Sequence, residues 1–135
     1  MYKNILVPVV FDTDHDTQAS YRAARVLADG DAKFTVMHVI EAIPSYVAAE
    51  IPSGVMTNMR HDIEKELLRA AKALPDGEPL LITGHPGRSI VDYANNNGID
   101  CIVLASHRPG FGDLFLGSTA SRVVRHANCA VHVIR

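Results

Sequence analysis

The chain has two cysteines, a formal charge of only −2, and no apolar run as long as the roughly 20 residues of a membrane span. Cys101 and Cys129 both sit among apolar neighbours. That argues against a disulfide framework of the secreted kind and fits reducing, cytoplasmic surroundings. Thirteen Lys and Arg against fifteen Asp and Glu give no electrostatic reason to expect a nucleic acid as partner. The opening "MYKNILVPVV" carries one lysine and a short apolar stretch but lacks a small-residue cleavage site. A mature, soluble protein with no membrane partner is therefore expected. Internal repeats and low-complexity segments are also absent, and 135 residues suit a single domain able to bury its own core.

What is present is an alternation. Short apolar runs, "ILVPVV" (5–10), "KFTVMHVI" (33–40), "PLLIT" (79–83), "CIVLAS" (101–106) and "AVHVI" (130–134), read as strands covered on both faces. Between them lie amphipathic patterns. The first runs from Thr17 to Asp29, with Asp16 as N-cap, Ala19, Ala23, Val26 and Leu27 on the buried face, and Gly30 as stop. The second spaces Met56, Met59, Ile63, Leu67, Ala70 and Leu74 by threes and fours, and Pro75 prevents its extension. A third uses Ile90, Val91 and Ala94; a fourth uses Ala120, Val123, Val124 and Ala127. The order βαβαβαβαβ predicts an α/β domain, a parallel sheet with helices on both faces. Ligands of such sheets bind beyond the carboxyl ends of the strands, where the winding reverses. Residues 42–54 read either as a partly apolar lid or as a plain connector.

The segment "SHRPGFGDLFLGSTASRVVRHA" (106–127) follows the fourth strand. Gly110, Gly112 and Gly117 allow positive φ and close approach of a ligand to the backbone. Ser118 and Thr119 open a helix whose N-terminal amides suit an anion, and His107 and Arg108 add charge. Together these parts suit a di- or triphosphate. "GDLFLGST" is an incomplete P-loop, because Ser118 stands where G-x-x-x-x-G-K-[ST] has its lysine. The alternative is that Ser and Thr merely cap the helix while Pro109 and Gly110 form an ordinary turn. The residues leave both readings open.

Taken together, "MYKNILVPVV", "FTVMHVIE" and "CIVLASHRPGFGDLFLGSTASRVVRHANCAVHVIR" resemble the universal stress protein family over essentially residues 1–135. The form "ASHRPGFGDLFLGS" is similar to its F and G types. The family pattern is G-x2-G-x9-G-[ST]; here Ala105 and Arg108 replace its first two glycines, and the stretch to Gly117 is one residue shorter. The resemblance implies a Rossmann-like, open twisted five-stranded parallel sheet of order 3-2-1-4-5, ATP or another adenine nucleotide as ligand, and a homodimer. The C-terminal strand is expected at a sheet edge, where pairing with its copy would cover it. Carried over residue by residue, backbone groups of Pro8, Val9 and Val39 would line the adenine pocket, and Val10 follows them in the nucleotide site. Ala105, His107 and Arg108 would face ribose and phosphates, and Gly117, Ser118 and Thr119 would hold the phosphates. Magnesium would bridge phosphates of the ligand. Val10 stands where the family usually has an acid, so either Asp12 or Asp14 takes over that role or adenosine binds more weakly.

Other constellations are weaker. His126, Cys129 and His132 have zinc-like types without a fourth ligand or a reason to converge. His85 and Arg88 mark a second helix start, read as a capping turn or an anion site, and His38 reads as a packed core histidine. No nucleophile with a paired base stands out, so no catalytic residue is assigned and at most slow ATP hydrolysis is expected. The leading expectation is a nucleotide-dependent stress-response or regulatory module with a protein partner yet to be identified. A nucleotide-free interaction or chaperone-like module is the alternative, and a small phosphohydrolase is a third.

Overall fold

A computed structural model describes residues 1–11, 17–106 and 116–135. Its elements, in order, are β1 (Tyr2–Pro8), α1 (Thr17–Leu27), β2 (Ala28–Glu41), α2 (Ser45–Ala48), α3 (Ser53–Ala71), β3 (Glu78–Gly84), α4 (Pro86–Asn96), β4 (Cys101–Ala105), α5 (Ser118–His126) and β5 (Ala130–Ile134). The five strands form one sheet in the order β3-β2-β1-β4-β5, with every ladder parallel. The expected Rossmann-like architecture and strand order are thus observed.

Parallel strands need crossover connections, and the helices that make them cover both faces. Consecutive residues of β1 accordingly enter different cores. Ile5 and Val7 pack with Tyr21 and Ala24 of α1 and with Leu67 and Ala71 of α3. Leu6 packs with Ile90, Val91 and Ala94 of α4 and with Ala120 and Val123 of α5. All three β1 residues have no exposed surface, which is why the run reads as continuously apolar rather than alternating. The α4–α5 contact is close: a Cβ at Gly87 would approach Arg122 Cδ to 2.8 Å.

Several local expectations shift. Gly30 does not stop the first helix; α1 ends at Leu27 and β2 begins at Ala28. The β1–β2 register slips between Tyr2↔Ala28 and Asn4↔Lys33, so Gly30 falls in a bulged stretch where a residue without a side chain is tolerated. Val26 is 83% exposed, and the buried face of α1 is instead Ser20, Tyr21 and Ala24. The larger ring of Tyr21 takes the core position. Val9 and Val10 lie past the end of β1, although the Val9 amide still donates to Met37 O at 2.8 Å. Met56 and Met59 are exposed, and α3 buries only Leu67 and Ala71 fully. Nineteen helical residues span about 28 Å, against about 23 Å for the seven of β3. The helix outruns its strand. Residues 42–54 contain the single turn α2 and the start of α3. In α5, Val124 is half exposed and Ala127 is the C-cap.

The turn from α4 into β4 locks the start of β1. Asp100 accepts hydrogen bonds from the amides of Lys3 (2.8 Å) and Asn4 (3.0 Å), and its own amide donates to Asn4 O at 3.0 Å. Asn4 Nδ2 donates to the carbonyls of Asn97 and Gly98, the latter a glycine with φ +67°. Removing the carboxylate leaves two amide donors without their acceptor. Asp100→Ala should therefore lower unfolding stability by about 1–3 kcal/mol in urea titrations.

Burial pushes the Cys101 thiol up to about 11, with smaller contributions from Cys129 and Asp100. The native thiol should resist alkylation at pH 8 and react once the chain is unfolded. The folded state keeps a proton that the unfolded chain releases above its ordinary value of 9.0. This contribution to stability is complete below pH 9.0 and is lost as pH rises through 11. The urea midpoint should fall across that window, and less so in Cys101→Ala.

Candidate functional site

The winding reverses between β1 and β4. These two strands are paired only through Ile5↔Cys101 and Leu6↔Ile102, whereas β1 stays in register with β2 as far as Pro8↔Met37. Beyond Leu6 and Ile102 the two central strands part, and a cleft of about 470 Å³ opens at their carboxyl ends. Its apolar floor includes Met37, Ile90 and Leu104. Pro8, Val9 and Val10 contribute from the end of β1, Val39 from β2, Ala105 from β4, and Gly117, Ser118 and Thr119 from the start of α5. Ile63 of α3 reaches it from the other helical layer. Eight of the ten residues expected from the sequence thus surround one cavity. His107 and Arg108 lie outside the described residues, as do Asp12, Asp14, Asp16, Pro109, Gly110 and Gly112.

The start of α5 differs from a Ser/Thr cap. Its N-cap is Gly117, which makes no side-chain cap bond, so the hydroxyls of Ser118 and Thr119 are not used as the cap. The Gly117 amide instead donates to Ser106 Oγ at 3.0 Å, while the Ser106 amide donates to Ile134 O at 2.7 Å. One serine therefore ties the end of β4 to both β5 and α5. Gly117 has φ −57° and ψ 156°, a conformation open to any residue, so positive φ is not the reason for glycine here. Packing against the described residues does not require it either. An added Cβ would meet Ser106 Oγ at 3.6 Å, ordinary contact. Glycine at this position leaves open space on the cleft wall beside the positive end of α5.

At the other end of the cleft stands His38, which the sequence reads as a packed core histidine. It is half-buried on the wall, with Nδ1 2.9 Å from Val9 O and its ring 5.0 Å from that of Phe11 at 34°. Its place beside Val39, near the carboxyl end of a central strand, was the available signal. The Val9 amide is engaged with Met37 O and its carbonyl with His38, so both backbone groups of this residue are held by β2. Val10 is 46% exposed. Among the described residues, the carboxylate lining the cleft is Glu41 at the end of β2.

A second cleft of about 560 Å³ adjoins the first, sharing Glu41, Pro86, Ser118 and Thr119 and adding His85 and Arg122. His85 is the N-cap of α4, its Nδ1 accepting from the Arg88 amide at 3.2 Å, in line with the capping-turn reading. His126 ends α5, Cys129 precedes β5 and His132 lies within it. Among the described residues, no three His, Cys, Asp or Glu side chains are grouped to hold a metal, and no helix is long and apolar enough to cross a membrane.

A sequence model of the universal stress protein family matches residues 1–135. Universal stress protein A homolog 2 of Coxiella burnetii is 30% identical over 99% of this chain and 95% of its own length. Universal stress protein G of Escherichia coli O157:H7 is 31% identical over the whole of both chains. Among solved structures, UspA from Lactobacillus plantarum is 31% identical with a TM-score of 0.71, covering 99% of this chain and 98% of that one. More distant structures share the fold. A universal stress protein in complex with cAMP is 21% identical, with a TM-score of 0.61. Its Archaeoglobus fulgidus counterpart in complex with dAMP is 22% identical, with a TM-score of 0.63. An Arabidopsis thaliana member with AMP bound is 18% identical, also with a TM-score of 0.63. They cover 99%, 99% and 98% of this chain, and it covers 97%, 98% and 90% of theirs. Matched by the family model over residues 1–135, with the five-stranded parallel sheet and its winding reversal in place, this chain belongs to the universal stress protein family.

Proposed function

We propose that the chain binds ATP, or another adenine nucleotide, at the carboxyl ends of β1, β2 and β4 and acts as a cytoplasmic, nucleotide-dependent stress-response or regulatory module. The observation that carries this reading is Gly117, whose absent side chain is required neither by backbone conformation nor by packing against the described residues and leaves room at a helix N-terminus. A phosphate there would meet first-turn amides, the hydroxyls of Ser118 and Thr119, and the charge of His107 and Arg108. Pro8, Val9, Val10 and Val39 would line the base, and Ala105 the ribose. The nucleotides bound by the cAMP, AMP and dAMP relatives support an adenine ligand. Magnesium would bridge phosphate oxygens of the ligand rather than occupy a protein cage.

The rival reading, an interaction module free of nucleotide, draws on Tyr46, Val55 and Met59, which leave an exposed apolar surface on α2 and the first turns of α3. Calorimetry separates the two. Micromolar ATP binding, about −8 kcal/mol, is expected for the wild type with magnesium. Gly117→Ala should fold normally and weaken ATP about tenfold, and Gly117→Val should weaken it further. A wild type indifferent to millimolar ATP would leave the interaction module standing, and ATP turnover abolished by His107→Ala would favour a phosphohydrolase.

A homodimer through β5 belongs to the same proposal, because this strand ends the sheet with β4 on one side only. Sedimentation should give twice the chain mass, and Val133→Pro, which removes a strand amide, should shift it toward monomer.

A further inference from the structure

His38 has a polar ring on the cleft wall that the nucleotide reading leaves without a task. A carbonyl oxygen only accepts, so the 2.9 Å contact with Val9 O puts the ring proton on Nδ1. The Val9–Val10 peptide is trans, so the Val10 N–H points away from the Val9 oxygen across the peptide plane. Side chains alternate along β2, and His38 shares the α1/α3 face with Phe34 and Val36. The cleft floor, Met37, Ile90 and Leu104, belongs to the α4/α5 face. The Val9 N–H and C=O both engage β2, so the Val10 N–H is turned away from β2, toward the side of β1 on which β4 has parted and the cleft opens. Among the described residues that amide meets no acceptor.

We propose that His38 is a positioning residue: by pinning the Val9 carbonyl it presents the Val10 N–H as a donor to an unprotonated ring nitrogen of the bound base. The inference rests on the nucleotide reading of the cleft and adds how the base is held. Such a contact uses backbone alone, so valine at position 10 is no obstacle to it. The Phe11 ring, packed on the imidazole, limits rotation that would release the carbonyl.

The test titrates wild type, His38→Leu and His38→Asn with ATP and, separately, with inorganic triphosphate, which lacks a base. His38→Leu should weaken ATP about tenfold, leave triphosphate binding unchanged, and be largely rescued by His38→Asn, whose amide restores a donor. In the wild type, nitrogen NMR should find the ring proton on Nδ1, and the Val10 amide proton should move downfield on adding ATP but not triphosphate. This measurement does not depend on whether the leucine variant folds. An unprotonated Nδ1, an unmoved Val10 amide in ATP-bound protein, or equal weakening of ATP and triphosphate overturns the proposal. A wild type that binds neither compound overturns the nucleotide reading, and this inference with it, before any variant is compared.

Discussion

β1 and β4 are joined by only two register pairs, and the arrangement of the site follows from that short ladder. Chain winding runs outward from β1 through β2 to β3, then returns across the sheet to β4 and on to β5. Helices crossing in the first direction cover one face and those crossing in the second cover the other, because right-handed connections permit nothing else. Among the described residues, no helix fills the space between the two halves above the strand ends. The central strands can then separate past Leu6 and Ile102 without leaving a face of the sheet uncovered, and the cleft is what separation creates.

Around that opening, each half of the chain is fastened by a small polar device. At the amino ends, Asp100 and Asn4 bind the start of β1 to the turn before β4. At the carboxyl ends, Ser106 takes the Gly117 amide while its own backbone stays in the ladder with β5. The first device fixes the relative height of the two central strands; the second fixes where α5 begins. Together they set the positive end of a helix against the wall of the cleft, and His38 sets the peptide on the opposite wall. The buried cores on the two faces supply the rigidity that lets such single hydrogen bonds define positions.

Much of this was legible in the chain. Val, Ile and Leu without alternation report two-sided burial, and the fifth apolar run has the ends, Ala130 and Ile134, of the strand itself. Gly117, Ser118 and Thr119 stand out in the chain because a glycine before hydroxyls at a helix start is a local signal. The helix faces were harder. Val26 fits the apolar spacing of α1 as well as Tyr21 does, yet it points to solvent at 83% exposure. Periodicity names a stripe only to within a residue or two, and the ring of Tyr21 decides which stripe packs best. The exposed half of α3 was likewise invisible, since nothing local says how far the sheet beneath it extends.

The sequence by itself determined the kinds of elements and their order, because helix and strand periods, caps and turn residues act over a few neighbours. It also offered the loop after the fourth strand as a candidate anion site, beside the reading of a plain capping turn. Only the tertiary structure decided that Gly117 has an ordinary negative φ, that Ser106 anchors it, and that His38 faces a cleft instead of a closed core. Those outcomes depend on groups far apart in the chain, Val9 with His38 and Ser106 with Ile134. Their meeting is fixed by strand order and register, which no short stretch of residues encodes alone.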